Sequence, residues 1–169
     1  MRYFLGLDIG TKNIKAAILN DEGNVEEEAS TPVYDLIHQP RDGFVERDPL
    51  ALWERVCETL KKLKFKDKVE GVCVDATSGT IVPLDEEGVP LHPLIMYNDS
   101  RATLEAEELR KASPKAREFE SFLPITPQLV LPKIMWLKKH CGFYGRIHKI
   151  LHESDYIAYK LTGVFASSN

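Results

Sequence analysis

The sequence predicts an α/β fold built on a mixed sheet. Three observations carry this. The chain opens with a strand, a glycine turn, a second strand, an Asp-Glu-Gly turn and a third strand. An amphipathic helix follows, and then another apolar strand ending in a small polar loop. In order, residues 3–8 are predicted to form a short buried strand and residues 14–19 a second, joined by Ile9-Gly10-Thr11-Lys12-Asn13. Asn20-Asp21-Glu22-Gly23-Asn24 has turn composition, and Val25 begins a third strand with one charged face. Asp48-Pro49 starts a helix, with Asp48 placed to accept from free N–H groups and Pro49 suited to the first helical position. Leu52, Trp53, Val56, Cys57, Leu60 and Leu63 form one apolar stripe. Residues 69–75 read as a buried strand, Thr80–Leu84 as another and Leu94–Tyr97 as a short one. Helices are expected at 101–112, 114–122, 133–140 and 154–162, with Ser113 and Ser154 as caps and Pro114 and Pro132 in first turns.

Composition bounds the function. The 169 residues are 43% hydrophobic and 28% charged, ordinary for a chain with a packed core. With 22 basic and 26 acidic residues there is no broad cationic surface, which disfavours a dedicated nucleic-acid binder. No apolar run approaches the ~20 residues that span a bilayer, and the first residues meet Asp8 too soon for a secretory signal. Cys57, Cys73 and Cys141 are widely spaced and form no CxxC pair. These features predict a cytoplasmic protein without a membrane partner. His148 and His152 are placed to share a helix face, and read as two surface histidines rather than metal ligands.

The segment Asp8-Ile9-Gly10-Thr11-Lys12-Asn13-Ile14-Lys15 carries the strongest chemistry. An acid closes an apolar strand, and glycine permits a turn that a side chain would block. Backbone N–H groups, a hydroxyl and a cation then converge, which suits phosphate oxygens. Asp8 is placed to hold Mg²⁺ through water, since that ion keeps its hydration and takes few carboxylates. The alternative is a hairpin in which Gly10 and Asn13 only make the turn. The chain has no GxxxxGK[ST] and no GxGxxG. The position two after Asp8 is Gly10 rather than a second acid, which argues against an Asp8 phospho-nucleophile. An echo appears at Asp75…Ser78-Gly79-Thr80, again an acid and small polar residues at a strand end, where open sheets collect ligands.

The opening LGLDIGTKNIKAAILNDEGNV resembles the phosphate hairpin of the FGGY carbohydrate kinases, members of the actin, Hsp70 and hexokinase superfamily. Four later segments match that family in order. They are GFVERDPLALWE, VDATSGTIVPLDEEGVPLHPLIMYNDSRA, LPKIMWLKKH and ILHESDYIAYKLTGVFASSN. The resemblance implies a ribonuclease H-like (actin/hexokinase-type) mixed sheet with flanking helices, residues 1–169 being a single partial domain, the N-terminal part of the first kinase domain. It implies ATP and Mg²⁺ as cofactors and places Asp8, Gly10, Thr11, Lys12, Asn13 and Lys15 at the ATP phosphates. Thr77, Ser78, Tyr97, Asp99 and Gln128 fall where relatives contact the sugar. The Asp-Ala-Thr-Ser run resembles the ribulokinase-like branches more than the glycerol kinases or the xylulokinases, and Tyr97 replaces the usual Trp of W-x-D-x-R.

Each assignment has a plainer alternative. Asp99 either meets the sugar or caps the next helix, with Arg101 as its ion-pair partner, and Thr77 and Ser78 either bind or form a turn. Tyr97 is open to a core role, and Trp136 reads as core. The family's catalytic Asp and its adenosine-binding domain are expected beyond Asn169. The expected parent activity is phosphorylation of a ketopentose (xylulose- or ribulose-like) or related polyol, with this part inactive alone and the rest of the kinase as its partner. A non-catalytic sugar- or phosphate-binding half is the rival. An unfinished sheet edge also leaves pairing with a second copy open.

Overall fold

The computed structural model describes residues 1–112 and 114–166, so the Ser113 cap lies outside the described residues. The chain runs through β1 (Tyr3–Ile9), β2 (Asn13–Asn20), β3 (Val25–Pro32), β4 (Ile37–His38), β5 (Glu46–Arg47) and α1 (Pro49–Lys61). It continues through β6 (Val69–Ala76), β7 (Ile81–Leu84), β8 (Leu94–Ile95), α2 (Thr103–Ala112), α3 (Pro114–Glu120), α4 (Val130–His140), β9 (Lys149–His152) and α5 (Glu153–Thr162). Two compact units result: Met1–Ile37 with Asp48–Ser78 and Leu151–Asn169, and His38–Arg47 with Gly79–Ile150.

The first unit is a four-stranded mixed sheet in the order β3-β2-β1-β6. β1 pairs antiparallel with β2 and parallel with β6. Alternation decides which side is covered. Leu5, Leu7 and Ile9 of β1 and Ile14, Ala16 and Ile18 of β2 are buried, while Phe4 and Asp8, alternating with them on β1, are exposed. α1 packs on β2 and β3, and α5 packs on β6. Leu52 and Val56 of α1 and Tyr156 and Ile157 of α5 are fully buried. Asp48 caps α1 as expected, accepting from the N–H groups of Leu50 and Ala51 at 2.8 and 3.0 Å. Burial pushes the Tyr156 phenol up to about 12.

Two sequence expectations are corrected here. Residues 69–75 read as a buried strand, yet no residue of β6 is buried and Val72 is 49% exposed. Among the described residues β6 pairs with β1 alone and ends the sheet order, so its apolar residues are not enclosed. Ser154 does not cap α5, because the helix begins one residue earlier, at Glu153, with His152 at the cap position.

The second unit has a small sheet in the order β4-β5-β8-β7-β9. Its core joins Ile81 of β7, Ile95 of β8, Ala102, and Trp136 and Leu137 of α4, with Phe44, Ile134 and Phe143 packed against them. The sequence expectations missed β4, β5 and β9, strands of two to four residues without alternation to mark them.

His92 sits against this core, its ring 6.3 Å from Trp136 and 6.0 Å from Phe143, with Nδ1 2.8 Å from the Pro93 carbonyl oxygen. Burial lowers its pKa, outweighing the Pro93 carbonyl and Glu46, which favour the charged ring. The unfolded chain therefore takes up this proton first as pH falls below about 6.5, and folding stability declines from there downward. Urea unfolding at a series of pH values between about 5.5 and 7 will show this slope, and His92→Gln will flatten it.

Candidate functional site

The mixed pairing of β1 builds a row of polar side chains across the first unit's open sheet face. Asp8 pairs with Lys15 on β2 and with Asp75 on β6, and Lys15 pairs with Ser30 on β3. The row therefore reads Ser30, Lys15, Asp8, Asp75. Like charges directly opposite one another destabilise a sheet, so Asp8 beside Asp75 is a local sacrifice of stability. Beneath this row lies a hollow of about 770 Å³ lined by Gly6, Ala17, Glu28 and Cys73 as well as Asp8, Lys15, Ser30 and Asp75. Small residues at Gly6 and Ala17, paired across β1 and β2, leave the floor low.

The turn above the row is tight for a definite reason. The Gly10 N–H donates to the Asn13 carbonyl at 3.1 Å, and a Cβ at Gly10 would stand 2.8 Å from that oxygen. Gly10 thus supplies space and closes the hairpin with its own amide. Lys12 is exposed, and its carbonyl accepts from the Val33 N–H at 2.9 Å, tying the turn to the end of β3. Asp8 and Lys15 share the hollow, while residues 10–13 stand at the hairpin end and do not line it. Asp75 was visible in the sequence as the echo of Asp8, but only the register makes the two neighbours.

Thr77 follows β6 in the same unit. Its hydroxyl donates to Oε2 of Glu153 at 3.3 Å, and Glu153 is fully buried as the first residue of α5. A carboxylate there lies at the positive end of the helix dipole. Glu153 had no sequence signal beyond its place in the Asp-Tyr segment. Ser78 is the last residue of this unit before the chain enters the second.

In the second unit, Tyr97 is 38% exposed, as a ligand-facing aromatic needs to be. Asp99 is completely buried. One oxygen, Oδ1, accepts from the Arg101 N–H and Nε, both at 2.9 Å. Oδ2 accepts from the Val45 N–H at 2.6 Å and from Arg101 Nη2 at 2.8 Å. Arg101 Nη2 also reaches Glu46 at 2.7 Å, and the guanidinium lies 4.0 Å from the Phe44 ring centroid and 4.9 Å from that of Trp136. Helix α2 begins at Thr103, so Asp99 is not its cap. Its carboxylate belongs to an internal lock rather than to an open surface.

Gln128 comes close to the same loops: a Cβ on Gly79, whose φ is +85°, would lie 3.3 Å from the Gln128 carbonyl oxygen and 4.0 Å from the Tyr97 Cα. Lys133, on α4, is fully buried and donates to the Gly79 and Met96 carbonyls at 2.7 and 2.8 Å. Burial pushes its ammonium down to about 8, with Asp99 pulling the other way. Sequence reasoning placed this lysine in a helix motif but gave it no task.

A mixed sheet with helices packed on it defines an α/β protein, and comparison with known proteins specifies its family. Residues 3–169 match the N-terminal domain of the FGGY family of carbohydrate kinases, and the chain belongs to that family. It is 36% identical over 172 residues to a xylulose kinase of Staphylococcus xylosus, covering 96% of this chain and 34% of the relative. A xylulose kinase of Escherichia coli is 27% identical over 168 residues, with 97% and 34% covered. The crystal structure of a xylulose kinase from Rhodospirillum rubrum superposes with a TM-score of 0.86 at 31% identity, over 99% of this chain and 36% of that one. The chain thus spans about a third of the length of the relatives it matches. Its fold is that of the actin/hexokinase-like sugar kinases. Among the described residues no helix is long and apolar enough to cross a membrane.

Removing one partner from a buried ion pair leaves an uncompensated charge and costs about 3–5 kcal/mol. Asp99→Ala leaves the buried Val45 N–H without its acceptor and Arg101 with Glu46 as its remaining carboxylate, so chemical unfolding of this variant will show a loss toward the lower end of that range. A loss under about 1 kcal/mol, the worth of an exposed pair, would contradict the lock.

Proposed function

We propose that the chain is the N-terminal part of an ATP-dependent kinase that phosphorylates a hydroxyl of a ketopentose of the xylulose or ribulose kind, or of a related polyol. The observation that carries this is the row Lys15, Asp8, Asp75 at the hairpin end of the mixed sheet. Two carboxylates on neighbouring strands, about 4.8 Å apart in backbone, fit a hydrated magnesium ion, a hard cation that takes one or two carboxylates and keeps its waters. Asp8 would hold that ion through water, with Asp75 as the second carboxylate beside it. When bound, magnesium neutralises charge on the phosphates during transfer. Lys15, Thr11, Lys12 and Asn13 hold the phosphate oxygens, while Gly10 keeps the turn small enough for them to approach.

Thr77, Ser78, Tyr97 and Gln128 contact the sugar, and Asp99 acts through Arg101 by fixing the segment that carries Tyr97. Thr77 is fixed in place by its hydroxyl, which donates to Glu153. The base that accepts the substrate proton comes from outside these residues, so the isolated chain does not turn over sugar. The names of the relatives, xylulose kinases, support a pentulose as the acceptor.

The experiment is an ADP-release assay of the full-length protein with D-xylulose and D-ribulose. Turnover is expected, and Asp8→Ala will lower kcat on the order of 10²–10³-fold while leaving the sugar KM little changed. Turnover of this variant near the wild-type rate would overturn the metal role. Sugar binding without any ADP release would mark a non-catalytic binder instead. Thr77→Val will weaken sugar affinity by about 1–3 kcal/mol, measured by titration calorimetry, and an unchanged affinity returns Thr77 to the turn.

A further inference from the structure

Lys133 joins two peptide groups that are distant in sequence. Its ammonium donates to the carbonyl of the Gly79–Thr80 peptide at 2.7 Å and to the carbonyl of the Met96–Tyr97 peptide at 2.8 Å. The N–H of that second peptide, from Tyr97, donates to Thr80 Oγ1 at 3.0 Å. The result is a closed ring: Lys133 to Gly79, along the chain to the Thr80 hydroxyl, to Tyr97 N, through its peptide to the Met96 carbonyl, and back to Lys133. Both ends of the Met96–Tyr97 peptide are held, so its plane is fixed, and with it the direction in which the Tyr97 side chain leaves the backbone.

The chemistry of the position supports a specific task. Lys133 is entirely buried and has Pro132, Trp136 and Leu137 as buried neighbours on α4. An ammonium in such a place loses its hydration, whereas a methionine of similar shape would not. What the lysine gives in return is donors for two main-chain carbonyls, which no apolar residue provides. Those carbonyls flank the half-exposed Tyr97 and the glycine that Gln128 approaches.

Resting on the sugar-kinase reading above, we propose that Lys133 is a positioning residue for the sugar: it fixes Tyr97, and the Gly79 backbone that Gln128 abuts, in the orientation that receives the acceptor. It touches neither sugar nor nucleotide. Loss of its hydrogen bonds therefore weakens sugar capture before it slows phosphoryl transfer.

The test compares Lys133→Met, Lys133→Arg and Thr80→Val in the full-length protein. Lys133→Met is expected to raise the KM for D-xylulose about tenfold or more, with kcat and the KM for ATP within about threefold of wild type. Lys133→Arg, which keeps donors, is expected to recover most of the loss. Thr80→Val opens the same ring at a different bond and should raise the sugar KM likewise, so it carries the test if Lys133→Met does not fold. Amide hydrogen exchange at Tyr97 will quicken in both variants while the β1–β2 amides keep their protection. Unchanged sugar KM and unchanged Tyr97 exchange in the variants would overturn the proposal, as would an equal fall in kcat and kcat/KM at constant sugar KM. If the wild-type protein phosphorylates no pentulose, the kinase reading fails, and the Tyr97 exchange still decides whether Lys133 holds that peptide.

Discussion

Everything at the candidate phosphate site depends on how β1 is hydrogen-bonded along its two edges. On one side it pairs antiparallel with β2, on the other parallel with β6. An antiparallel neighbour fixes Lys15 opposite Asp8 through a short turn, and a parallel neighbour brings in Asp75 from 67 positions downstream. Neither pairing alone gathers these charges. Because side chains alternate along a strand, a one-residue slip would carry all of them to the face that α1 and α5 cover. The buried set Leu5, Leu7, Ile9, Ile14, Ala16 and Ile18 forbids that slip. The apolar side of the sheet thus enforces the register that the polar side uses.

The second unit solves a different problem. Its sheet has strands as short as two residues, too few ladder bonds to hold loops in place. Charge takes over that work. Asp99, Arg101 and Glu46 join the start of β5 to the loop after β8, and Lys133 joins α4 to two loops. Desolvating these groups is costly, but each is paired, and each pairing fixes backbone rather than side chain alone. Tyr97 is exposed on a scaffold whose rigidity is polar.

Much of this was readable beforehand. The hairpin, α1 with its Asp48 cap, and the apolar stripe Leu52–Val56 follow from local pattern and turn chemistry, which act over a few residues. The charged row was half readable: Asp8 and Lys15 are linked by a tight turn, whereas Asp75 needed a pairing that no local pattern encodes. Asp99 illustrates the reverse. Its motif spacing suggested a sugar contact or a helix cap with Arg101 as ion-pair partner, and the structure shows the pair with Arg101 but encloses the carboxylate completely. Spacing along the chain records which residues recur together, not which way a side chain turns. Glu153 and Lys133 escaped for a similar reason, since a charged residue in a helix looks solvated until its burial is known. The shortest strands left no periodicity to detect.

The path of the chain has a further consequence. The first unit is assembled from three separated segments, and the second fills the two gaps between them in sequence. Tyr156 and Ile157, which seal the sheet beside β6, are therefore among the last described residues to leave the ribosome. Until then the first hairpin and α1 can form, but the layer they belong to stays open on the α5 side while the long Gly79–Ile150 segment of the second unit is synthesised. Vectorial synthesis makes the earliest strands wait for the latest helix, and contacts at such separation in sequence are the slow ones to close.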